Sequence, residues 1–178
     1  NLHGSLLPSY RGAAPMQRAI INREKQTGVT LMEMVKKMDA GRMYAKKTIP
    51  LDENINYSEL SAKVAEACVE LILESLLDVI NGDNPGFPQI EEEATYAQKI
   101  LPQEEHLDLS LPCAQVLAYV RGLSLVPGGY LLLEEKKLKV YAAHFVSNEI
   151  KGALGEVIGV KKGLFVQGKD GVISLDFV

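Results

Sequence analysis

Cysteine is scarce in this chain: Cys68 and Cys113 are the only two among 178 residues. With no CxxC pair and no histidine at zinc-ligand spacing, neither a disulfide framework nor a metal site is expected. Both should be buried free thiols in a reducing cytoplasm. Long apolar runs are missing too. The longest, around Leu71 to Ile80, is interrupted by Glu74 and Asp78 and falls short of the ~20 apolar residues that a spanning helix needs. No charged region followed by an apolar stretch marks a signal segment, so the expected location is cytoplasmic, with no membrane partner. Positive charge is not in excess either. The 19 Lys+Arg against 23 Asp+Glu give a net of −4, which argues against nucleic-acid binding over the whole surface. The balance is uneven, however. Residues 109–178 carry 8 Lys+Arg against 6 Asp+Glu, a net of +2, which leaves −6 on residues 1–108. A polyanion would be met by the C-terminal part.

What is present is the composition of a folded globular protein, 47% hydrophobic and 24% charged. The length suits one substantial core or two small ones. Pro15 can open a short helix running to about Arg23. "GVTLMEM" (28–34) and "MYAKKTI" (43–49) read as strands, and the Asp-Ala-Gly between them places Asp39 on a loop. Ser58 is a plausible N-cap for a long helix in which Leu60, Val64, Cys68, Leu71, Ser75 and Val79 recur at helical spacing, until Asn81-Gly82 stops it. The Gly-, Pro- and acid-rich stretch that follows reads as a linker. Beyond it come one short helix, Cys113 to Arg121, and a series of hairpins turning near Glu135-Lys136, Lys161-Lys162-Gly163 and Lys169-Asp170-Gly171. That series predicts a small, mostly antiparallel barrel.

The chain opens on "NLHGSLLPSYRGAAP". Side chains alternate along extended backbone, so Asn1 and His3 should face the same side. An amide N–H can donate to an oxyanion while an imidazole exchanges a proton near neutral pH. Together they are the minimum for acyl transfer through a tetrahedral intermediate. Asp39 is the best candidate for the carboxylate that orients or polarises the ring. An isolated Asn-x-His also fits an ordinary satisfied loop. Arg11 could meet an anionic substrate or brace the loop. His106 and His144 read as structural or exposed, and Tyr10 and Tyr130 as packing residues.

The opening stretch as a whole resembles the signature N-x-H-x-S-L-L-P-x-x-R-G of the folate-dependent formyltransferases, and its Gly-Ala-Ala-Pro continuation resembles the methionyl-tRNA branch of that family. "TGVTLMEMVKKMDAG", "TYAQKI" and "VRGLSLVPGGY" resemble further segments of it in the same order. The resemblance implies an α/β fold: the C-terminal part of a Rossmann-like formyltransferase domain (1–85), a linker (86–105) and a small OB-like tRNA-binding barrel (106–178). It implies Asn1, His3 and Asp39 as catalytic residues, with Ser5, Leu6, Leu7 and Pro8 lining the folate site. The implied donor is 10-formyltetrahydrofolate and the acceptor is initiator methionyl-tRNA, in translation initiation, by a monomer.

Family members carry a longer segment before this motif. The resemblance therefore implies a fragment, with a parallel sheet edge and apolar helix faces left uncovered. Lys136, Lys137, Lys139, Lys161, Lys162 and Lys169 could contact phosphates from hairpin turns. Arg42, where the family usually has a second aspartate, would favour an ionised Asp39 or draw it from His3. "VRGLSLVPGGY" lacks a tryptophan common in the methionyl-tRNA branch. Another folate-dependent formyl enzyme, acting on sugar nucleotides or hydrolysing formyltetrahydrofolate, and a tRNA-binding fragment without catalysis are the alternatives.

Overall fold

The β-branched and apolar residues of "QTGVTLM" form a strand that is buried on both faces, and the first half of the chain is organised around it. The computed structural model describes residues 1–177. In it, β1 (Leu2–His3), β2 (Gln26–Met32) and β3 (Met43–Pro50) form a three-stranded sheet in that order. Both pairings are antiparallel, with His3 opposite Thr30 and Thr30 opposite Lys46. The expected parallel edge is not found among these strands. β2 begins and ends two residues before the expected span, because at Glu33 the chain leaves the sheet and closes the next loop by donating to the Arg42 carbonyl at 2.9 Å.

Side chains alternate along β2, so its two faces have different cover. The Gly28, Thr30 and Met32 face meets the opening segment. A Cβ on Gly28 would collide with Leu6, the Thr30 hydroxyl donates to the Ser5 carbonyl at 2.7 Å, and Leu7 clusters with Met32 and Met43. The long helix α2 (Tyr57–Asn81) packs on β2 and β3 through Leu60, Val64, Ala67 and Leu71. Its N-cap is Asn56, not Ser58: Asn56 accepts from the Glu59 N–H while the Glu59 carboxylate accepts from the Asn56 N–H. This reciprocal pair satisfies two N–H groups that the helix itself leaves open. The helix stops at Gly82, in left-handed geometry at φ 83°. Val69, Leu73, Leu77 and Ile80 lie exposed on it, in line with the expected uncovered helix face. The first helix, α1 (Pro15–Ile21), is shorter than expected, ending before Arg23 adopts φ 57°. Cys68 is only half-buried, while Cys113 is buried as expected.

The chain divides into two compact units, one of residues 1–19 and 24–99, the other of 20–23 and the chain from Ile100. The early part of the expected linker is not free chain. Phe87 exchanges both backbone hydrogen bonds with Met43, and Tyr96 bridges Arg11.

In the second unit, α3 (Cys113–Leu123) is followed by β4 (Gly129–Leu133) and β5 (Lys136–Val140), a hairpin turning at Glu134 and Glu135, both at positive φ. β6 (Ala142–Ser147), β7 (Val157–Val160), β8 (Leu164–Gln167) and β9 (Val172–Phe177) form a second, four-stranded antiparallel sheet in the order β6-β9-β8-β7. Val116, Leu117 and Val120 of α3 pack with Val140, Val166, Ile173 and Leu175. The expected barrel is not closed among the described strands: β4 and β5 form a separate two-stranded sheet, and Tyr130 of β4 accepts a further hydrogen bond from the Leu107 N–H at 2.9 Å. No helix among the described residues is long and apolar enough to cross a membrane.

Candidate active site

His3 ends the short β1, and its ring is fixed from two sides. Nε2 lies 2.9 Å from the Tyr10 carbonyl, to which it donates, so the neutral ring carries its proton there and Nδ1 is left open. Nδ1 lies 3.6 Å from Oδ2 of Asp39. The imidazole is 7% exposed and the Asp39 side chain 16%, so the ring is buried and the carboxylate half-buried, both with limited access to water.

Asp39 is brought there by the β2–β3 loop in a left-handed conformation, φ 50°. Its carboxylate accepts from the Gly12 N–H at 2.8 Å. Gln89 donates from Nε2 to the Asp39 carbonyl at 2.7 Å and to the Gly41 carbonyl at 2.8 Å. Gly41 is required by space: a Cβ there would stand 2.0 Å from the Glu33 carbonyl oxygen.

Arg11 is wholly buried. It braces the loop, though through side chains: Nε donates to Gln89 Oε1 at 2.9 Å and Nη1 to Glu91 at 3.0 Å. Lys37 also pairs with Glu91, and these two cations hold the Glu91 carboxyl below its usual range, Lys37 contributing most. Arg42 turns away from Asp39 and donates to the Pro85 and Gly86 carbonyls at 2.9 and 2.8 Å. The expected influence of Arg42 on Asp39 is therefore replaced by a structural role.

Asn1 is exposed, and its backbone exchanges hydrogen bonds with Met32. Ser5 and Leu7 point into the fold: the Ser5 hydroxyl donates to the Ser9 carbonyl at 2.6 Å, and Leu7 is fully buried. Leu6 and Pro8 are half-buried. Lys46 donates to the Leu7 carbonyl, and burial pushes its ammonium pKa down despite nearby Glu93. Tyr10 donates its hydroxyl to Glu24 at 2.6 Å.

The candidate phosphate contacts lie in the second unit. Lys136, Lys137, Lys161, Lys162 and Lys169 are exposed. The Lys137 ammonium sits 4.1 Å from the Tyr130 ring centre, and His106 packs on the same ring at 5.2 Å. Lys139 is committed, donating to the Pro127 and Gly128 carbonyls at 2.9 Å and to Glu105 at 3.1 Å. His144 is exposed and pairs with Asp176 at 2.7 Å. Among the described residues no cluster of three His, Cys, Asp or Glu could hold a metal ion. Sequence reasoning missed Gln89, Glu91 and the Tyr10 carbonyl, because a lone glutamine in a Gly/Pro-rich stretch carries no local signal.

Residues 1–76 match the family model described as formyl transferase, and residues 99–178 match the formyl transferase C-terminal domain. The chain is 39% identical over its whole length to a methionyl-tRNA formyltransferase of Streptococcus equi subsp. equi (strain 4047), of which it covers 57%. A protein of the same name from Streptococcus pyogenes serotype M4 is 40% identical over 98% of the chain, which covers 56% of that relative. The chain thus spans a little over half the length of the curated relatives it matches. HypX from Aquifex aeolicus, solved in complex with tetrahydrofolic acid, is 26% identical with a TM-score of 0.80, covering 98% of this chain and 30% of that one. With both of its halves matched in order, and the His3–Asp39 pair within the first, the chain belongs to the formyl transferase family.

Proposed function

We propose that this chain holds the catalytic residues of a methionyl-tRNA formyltransferase acting in translation initiation in the cytoplasm. The observation that carries the reading is the 3.6 Å approach of His3 Nδ1 to the Asp39 carboxylate, in a chain 39% identical to an enzyme of that name. In this reading residues 1–85 are the C-terminal part of a Rossmann-like domain, 86–105 the connecting segment, and 106–178 an OB-like domain that meets tRNA.

The residues suit a formyl donor. Asn1 is exposed, the His3 ring keeps one untethered nitrogen near the Asp39 carboxylate, and the half-buried Leu6 and Pro8 of the same opening segment are the apolar residues we assign to the folate. 10-Formyltetrahydrofolate supplies the formyl carbon, and the α-amino group of methionine on initiator tRNA accepts it. Asn1 offers its amide N–H to the oxygen that gains negative charge, a contribution of ~10²–10³ in rate for such a donor. The Tyr10 carbonyl fixes the His3 ring through Nε2, which makes Nδ1 the nitrogen that takes the proton the amine loses and returns it to the departing nitrogen. Asp39 is close enough to balance the positive charge on the ring. At 3.6 Å it is too far to occupy Nδ1 with a normal hydrogen bond.

The test is formyl transfer to methionyl-tRNA by the chain and by its His3→Ala variant. General acid–base help is worth ~10²–10⁴, and a loss of that size is expected. Equal rates in the two proteins, no transfer by the unmodified chain, or preferential formylation of an amino sugar nucleotide would overturn the reading.

A further inference from the structure

We infer that Gln89 is a positioning residue for this reaction, acting through the loop that carries Asp39; the inference rests on the function proposed above. The carboxamide spends both of its N–H donors on one loop, at the Asp39 carbonyl (2.7 Å) and the Gly41 carbonyl (2.8 Å). Its oxygen accepts from the buried Arg11 Nε at 2.9 Å. These partners fix which end of the amide is which. The reverse orientation would set oxygen against two carbonyl oxygens and nitrogen against a guanidinium.

The clamp acts where the backbone most needs support. Asp39 sits at φ 50°, a left-handed conformation that side chains rarely adopt, aspartate and asparagine more readily than the rest. Its two ends are held from one rigid segment. Gly12 grips the carboxylate, while Arg11, its neighbour in sequence, grips Gln89, which grips the Asp39 carbonyl. The segment is itself anchored, since the Arg11 N–H donates to the Thr95 carbonyl at 2.9 Å and the Arg11 carbonyl accepts from the Ala97 N–H at 2.6 Å. Gln89 touches neither His3 nor Asn1, so its effect passes through Asp39.

Two variants separate this role from simple support of Arg11. Gln89→Met keeps length and loses every polar contact. Gln89→Glu keeps an acceptor for Arg11 and loses both donors to the loop. A misplaced catalytic group can cost about 10²-fold, so kcat should fall in both variants by about tenfold to a hundredfold, with KM for the formyl donor changed less than about twofold. NMR order parameters of the Asp39 and Gly41 amides should drop from about 0.85 towards 0.6, while amides of β2 and β3 stay rigid.

Retention of full kcat in Gln89→Glu, a loop that stays rigid in both variants, or loosening spread equally through β2 and β3 would overturn the inference. The order parameters need no turnover. If the unmodified chain transfers no formyl group, the functional reading fails while the clamp is still decided by the loop.

Discussion

His3 Nδ1 stands 3.6 Å from Oδ2 of Asp39, and that same oxygen accepts from the Gly12 N–H at 2.8 Å. The carboxylate is therefore held by backbone and presented to the ring, and the two functions can be separated. Asp39→Asn retains an oxygen for Gly12 and nearly the same volume, but removes the charge facing the imidazole. Formyl transfer should fall by about 10²-fold or more, while the free energy of unfolding changes by less than about 1 kcal/mol. Steady-state rates and urea denaturation measure the two. A variant as active as the parent would show that the charge of Asp39 plays no part.

Gly41 and Gly82 offer a contrast between space and conformation. A Cβ at Gly41 would stand 2.0 Å from the Glu33 carbonyl oxygen, a backbone atom that cannot swing aside. Gly41→Ala should cost about 1–3 kcal/mol, as overpacking does, and should lower activity by moving Asp39. A Cβ at Gly82 would meet nothing within 4 Å, but the residue sits at φ 83°. Gly82→Ala should cost about 1–2 kcal/mol for the left-handed conformation and leave turnover unchanged. Denaturation midpoints and rates on the two variants test the distinction, and equal activity losses would contradict it.

Sequence reasoning reached the parts that local rules determine. The strand before the Asp39 loop, the helical spacing of α2 and the glycine that ends it each carry a local signal in composition, periodicity or turn chemistry. The meeting of His3 with Asp39 does not: its loop makes Asp39 a candidate, the family resemblance implies the pair, and only the fold brings the two side chains to 3.6 Å. What it missed depends on partners distant in sequence. Arg11 finds Gln89 and Glu91 across most of the first unit, and Arg42 turns to the Pro85 and Gly86 carbonyls. The N-cap was misplaced for a different reason. Asn56 and Ser58 are both good capping residues, and only the reciprocal bond with Glu59 selects Asn56.

Cys113 gives a pH dependence with a definite sign. Burial pushes its thiol from 9.0 up to about 11, with Asp170 adding to the shift. The folded state thus holds a proton that the unfolded chain releases near pH 9. Stability from this group is complete below pH 9 and is lost as pH rises from there to about 11. Cys113→Ser should flatten that part of the stability profile. In the native protein at pH 8 an alkylating reagent should modify the half-buried Cys68 first, with Cys113 reacting only on unfolding. Mass spectrometry of the labelled chain reads this out, and faster labelling of Cys113 would contradict it.

Lys137 and Lys139 lie on one strand and should behave oppositely towards tRNA, the polyanion partner proposed above. Lys137 is exposed, with its ammonium over Tyr130, and remains able to meet a phosphate. Lys139 is already spent on two carbonyls and Glu105. Each phosphate contact releases condensed counterions, so losing one should reduce the slope of log affinity against log salt by roughly 1. Lys137→Ala should therefore weaken tRNA binding and flatten the salt dependence without altering stability. Lys139→Ala should leave the slope unchanged and destabilise the second unit by roughly 1 kcal/mol, because two partly buried carbonyls and a carboxylate lose their donor. Equal slope changes in the two variants would mean that Lys139 leaves its partners on binding. No change in either would place any tRNA contact away from the β4–β5 hairpin.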